Sequence, residues 1–127
     1  MIQADEKLIN VQFEHLIWHN ELQNYLVEIE IYDERIRSLM TLHHDEDLQE
    51  ELRTFRDKFH ELKTNINSWK ISIGQHEYRI MEVAKLNGAI KLLTNSEHDE
   101  IRKKVQRLRK SMIKIKEKFQ YFLLKRI

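Results

Sequence analysis

Not one proline interrupts this chain of 127 residues, and its only glycines are Gly74 and Gly88. Without the residues that break a chain into short strands and turns, long helices are what it can build. The apolar residues agree. Leu8, Val11, His15, Trp18, Leu22, Tyr25, Ile29, Tyr32, Ile36 and Leu39 follow one another alternately three and four positions apart. That period of about 3.5 marks the buried seam of a coiled coil. A second run goes from Leu52 through Phe55, Phe59, Leu62, Ile66, Trp69, Ile73, His76 and Ile80 towards Asn87 and Ile90. A third goes from Ile101 through Val105, Leu108, Met112, Ile115 and Phe119 to Phe122. The spacing predicts helices over residues 4–42, 46–92 and 97–126, in a single all-α domain spanning 1–127. Its three long helices run up, down and up as an antiparallel coiled-coil bundle.

Two short breaks separate the runs. Thr41 to Asp45 offers Asp45 as an N-cap, and Thr94 to Ser96 offers a capping box, either Ser96 with Asp99 or Thr94 with Glu97. A first turn near residue 45 makes seam residues face each other when their numbers add to about 91, which sets His15 beside His76 and Trp18 beside Ile73. A second turn near residue 95 gives sums of about 188 and sets Met112 beside His76 and Phe119 beside Trp69. In that register the third helix ends early. The hairpin of the first two helices then protrudes beyond it as an arm of ~20 Å at 1.5 Å per residue.

Such an arm leaves Tyr32, Ile36, Leu39, Leu52, Phe55 and Phe59 without a third helix to cover them, and a second copy of the chain completes a four-helix core there. A second apolar surface lies off the seam at the other end, with Ile9, Phe13 and Ile17 on the first helix and Tyr78 on the second. The leading expectation is therefore a non-enzymatic interaction or scaffold protein that self-associates as a dimer through its uncovered seam, with another helical protein as the alternative partner.

Histidine supplies a second reading. His15 and His76 share one layer, His19 follows His15 by one helical turn, and together the three suit a transition-metal ion such as zinc. A neutral, mutually hydrogen-bonded pair that fixes register accounts for the same residues without metal, and such a pair loses its stabilising effect on acidification. The expectation is accordingly no bound cofactor.

Charge supplies a third. Residues 101–127 hold eleven Lys and Arg against Glu117 alone, and the outward Lys103, Arg107, Lys110 and Lys114 form a stripe suited to a phosphate backbone. Internal balance against Glu14, Glu21 and Glu28 is the simpler use of that charge, so nucleic acid is the less favoured partner.

Catalytic patterns are missing. The chain has no cysteine, no Glu-x-x-His, no Gly-rich phosphate loop and no Gly-x-Ser-x-Gly. With neither a leader nor a long apolar run in view, the cytoplasm is the expected compartment and no membrane span is expected.

Overall fold

The computed structural model describes residues 2–84 and 90–127, and the side chains of 8–82 and 96–127. It consists of α1 (Ile2–Leu42), α2 (Glu46–Ala84) and α3 (Ile90–Arg126), packed as a three-helix bundle with no strand among the described residues. None of the described helices is long and apolar enough to cross a membrane.

The heptad seams are the core. Trp18, Leu22, Ile29 and Ile36 of α1 are buried with Leu52, Phe59, Ile66 and Ile73 of α2 and with Val105, Met112, Phe119 and Phe122 of α3. Burial of this kind contributes on the order of 2 kcal/mol per large apolar side chain. It is what keeps helices of this length from fraying in water.

The first hairpin is built as the sequence indicates. α2 starts directly after Asp45, whose carbonyl accepts the Gln49 N–H at 2.9 Å. Gln49 also turns its side-chain amide back to the carbonyls of Met40 and His43, both at 2.6 Å. Two backbone acceptors at the end of α1 that would otherwise lack partners are satisfied in this way.

The second hairpin differs from expectation. Residues 94–96 lie inside α3, which is already helical at Ile90, so the capping boxes drawn from Thr94 or Ser96 do not start it. The expected continuation of α2 through Asn87 lies outside the described residues. Facing seam residues of α2 and α3 have numbers adding to about 174, as in His76 with His98 and Phe55 with Phe119. Relative to the expected register, α3 is displaced along α2 by about 21 Å, or two heptads. The neighbour of His76 is therefore His98 in place of Met112, and Phe119 lies among Tyr32, Phe55 and Phe59 in place of Trp69.

This displacement removes the protruding arm. Phe122 packs on Phe55 with ring centroids 5.1 Å apart, and Arg126 reaches Glu51 at 3.1 Å near the α1–α2 turn. Ile36, Leu39, Leu52 and Phe59 are fully buried within one chain, and Tyr32 and Phe55 pack against the same core. The six residues assigned to an intermolecular seam are instead the hydrophobic centre of the bundle, because α3 is nearly as long as α2 and spans the whole hairpin.

Candidate metal centre

One layer of the core is built from histidine. His15 of α1, His76 of α2 and His98 of α3 occupy consecutive seam positions in space, with ring centroids 5.1 to 5.6 Å apart. All three are buried, and Trp18 closes one side, its ring 4.8 Å from His98 and 5.4 Å from His15. Each helix supplies one imidazole because each seam places a residue in every layer.

Carboxylates hold the rings from outside. His98 Nε2 lies 2.6 Å from Glu14 Oε1, and His76 Nδ1 lies 2.9 Å from Glu97 Oε2. His15 Nδ1 comes within 3.5 Å of Glu77 Oε1, too long for a full hydrogen bond but on the same pattern. Guanidinium groups brace two of these acids. Arg102 grips Glu14 with two nitrogens at 2.7 and 2.8 Å, and Arg79 reaches Glu97 at 3.2 Å.

The bracing fixes protonation. Hydrogen bonding from Arg102 outweighs the opposing effect of burial and, with His98, holds the Glu14 carboxyl down at about 2. Burial opposes ionisation of Glu97 as well, but the bonds from His76 and Arg79 keep it below the usual carboxylate range. An ionised carboxylate only accepts, so His98 carries its proton on Nε2 and His76 on Nδ1. His98 Nδ1 and His76 Nε2, the other nitrogens of these rings, are left on the buried side. Burial, reinforced by His76 and His98, lowers His15 to about 4, and burial also lowers His76. Both are neutral imidazoles near pH 7.

Those inward nitrogens have no partner. His15 Nδ1 and Nε2, His76 Nε2 and His98 Nδ1 are buried without a hydrogen bond. Leaving such a group unsatisfied costs about 1–3 kcal/mol. One ligand atom from each ring lies within 4.8 Å of the others. A tetrahedral ion with bonds of 2.0–2.1 Å needs nitrogens about 3.3 Å apart, so each has to move inward by roughly 1 Å. Carboxylates on the outer ring nitrogens are the usual support of histidines that bind metal, since they fix the tautomer and raise ligand basicity. Nitrogen ligands of this kind suit zinc and its divalent neighbours.

The sequence reading paired His15 and His76 correctly and took His19 as the third member. The structure places His19 on the flank, with Nε2 3.7 Å from Glu77 Oε2 and outside the convergent group. The missed member is His98. It lies three positions before Ile101 on the α3 seam and inside the helix expected over 97–126, but the expected seam begins at Ile101 and the expected register sets Met112 beside His76.

The other sequence candidates fall elsewhere. Ile9, Phe13, Ile17 and Tyr78 are exposed, as expected for a surface off the seam. Glu14, Glu21 and Glu28 pair with Arg102, Arg109 and Lys116. Lys103, Arg107, Lys110 and Lys114 are exposed along α3 and take no part in that ladder.

No family model, no curated protein and no solved structure matches this chain.

Proposed function

We propose that this chain is a metal-binding helical bundle in which His15, His76 and His98 bind one divalent transition-metal ion, zinc being the best chemical match, and so tie the three helices together at one level. The observation that carries the reading is three buried imidazoles in one layer, one ligand atom of each within 4.8 Å of the others, every ring having a nitrogen without a partner and two of them having the other nitrogen held by a carboxylate. In a core otherwise made of aliphatic and aromatic side chains, such a layer destabilises the empty bundle and acquires a use when an ion occupies it.

Titration of the purified chain with Zn²⁺ or Co²⁺, followed by metal analysis after gel filtration, tests this. One equivalent retained by the parent and by His19→Ala, but not by His98→Leu, is the expected result. Retention unchanged in a His15→Leu/His76→Leu/His98→Leu chain would sink the idea.

Self-association as a dimer is a second reading, supported by the second apolar surface the sequence suggested and not by the seam. The seam is covered, but Ile9, Phe13 and Leu16 of α1 and Ile71, Tyr78 and Met81 of α2 form an exposed apolar face.

A further inference from the structure

α1 carries apolar residues on nearly every side. Val11, Trp18 and Leu22 face the core, while Ile9, Phe13, Leu16 and Ile17 look outwards. A helix apolar all round is one that is covered all round. Beside those outward residues, α2 presents Ile71, Tyr78 and Met81, and the amide of Gln12 touches the Met81 sulfur at 3.3 Å, so the two sets form one surface.

Ile9, Phe13, Leu16, Ile71, Tyr78 and Met81 are 43% to 68% exposed. Together they present on the order of 700 Å² of apolar area, more than a monomer ordinarily shows and close to what each partner buries in a stable interface. The surface contains a hole. A cleft of about 490 Å³ opens between Gln12 and His15 of α1 and Gly74, Glu77, Tyr78 and Met81 of α2. Gly74 helps keep it open, because a Cβ placed there meets nothing within 4 Å.

We infer that this face pairs with the same face of a second copy, and that Phe13 of each chain seats in the Gly74 cleft of the other. The inference rests on the self-association reading and is independent of the metal. A second copy is the occupant favoured by charge. Two-fold pairing sets a surface against itself, which a strongly charged face resists; here, among the described residues, Glu77 is the one carboxylate lining the cleft, turned towards His15 and His19, and the exposed polar neighbours Asn10, Asn20 and Gln75 are neutral. Phe13 is the ring to be seated, since it is 62% exposed and Tyr78, the other large aromatic of the face, already forms a wall of the cleft. The cleft has room for such a ring, and the seated ring closes the groove that leads to His15.

Sedimentation equilibrium over a wide concentration range tests this on the whole chain, with Gly74→Leu, Phe13→Ala and the double variant beside the parent. The expected result is a parent dimer that each single change weakens about tenfold to a hundredfold, at unchanged helix content. The double variant is expected to be hardly weaker than either single one, because both changes remove the same contact. A dimer indifferent to both changes, or losses that simply add, would overturn the seating of Phe13 while leaving self-association standing. A parent that stays monomeric throughout would overturn both. A Cβ at position 74 meets nothing within 4 Å in the monomer and Phe13→Ala removes an exposed side chain, and the helix content of each variant separates a weakened dimer from an unfolded chain.

Discussion

At one end of the bundle Tyr32, Phe59 and Phe119 bring one ring from each helix to centroid separations of 5.0 to 5.8 Å. Towards the other end His15, His76 and His98 do the same at 5.1 to 5.6 Å. Geometry alone hardly separates the two layers. What separates them is satisfaction: the aromatic rings need only contact, whereas the histidine layer buries four ring nitrogens that find no partner. The same packing scheme thus yields a stabilising layer in one place and a strained, receptive one in the other. The polar remainder, more than the packing, marks the site.

Breaking the aromatic layer should have the largest effect. Phe59→Ala is expected to cost about 3–5 kcal/mol in urea unfolding, because the side chain is fully buried and helices meet it from both sides. A loss below 1 kcal/mol would show that this layer is not the mainstay of the core.

Turning the histidine layer into a copy of the aromatic end should act in the opposite sense. Without metal, His15→Leu/His76→Leu/His98→Leu is expected to gain about 2–4 kcal/mol over the parent, since it removes unsatisfied polar groups while keeping bulk. Equal or lower stability would mean that the imidazoles are better satisfied than their surroundings imply.

Acid should separate the layers further. His15 has a folded pKa of about 4 against 6.5 for the free group. The unfolded chain therefore binds more protons between those values, and stability is full above about 6.5 and lost as pH falls towards 4. In the metal-free parent that loss is on the order of 2–3 kcal/mol. The triple leucine chain should be flat until the carboxylates begin to titrate. Parallel melting curves for the two chains would place His15 in water.

Two smaller changes outline the site. Glu14→Gln should weaken zinc binding about tenfold to a hundredfold by replacing the carboxylate that supports the His98 ring with a neutral amide acceptor, with all three ligands still present. His19→Ala should shift stability by less than about 0.5 kcal/mol and leave zinc affinity as it was. Competition against a chromophoric chelator measures both, and equal affinities in the parent and Glu14→Gln would remove the carboxylate from the site.

Most of the fold was legible from the spacing of apolar residues. The α1–α2 register was legible too, because a three-residue connection fixes it, and with it came the pairing of His15 and His76. The α2–α3 register was not. Sliding a helix by whole heptads returns every seam residue to a seam position, so the hydrophobic pattern is indifferent to the error. Only the position of the turn decides it, and the cap-forming residues Thr94 and Ser96 lie within α3. From that single displacement came both the arm that does not exist and the third histidine that went unnoticed. His98 was readable in principle, as a residue in phase with Ile101 and already inside the expected helix, once the seam was extended back by one step.

The ion pairs along α1 and α3 have a related consequence for how the chain reaches this state. Glu14, Glu21 and Glu28 meet Arg102, Arg109 and Lys116 at one-heptad intervals. Slipping α3 by one step re-forms two of the three rungs, because Glu14 can then take Arg109 and Glu21 can take Lys116. Such a ladder works as a ruler with identical graduations: it guides alignment but cannot count. Counting falls to the layers that occur only once, so a chain refolding without its histidines has lost one of the few marks that tell a correct bundle from one assembled a notch away.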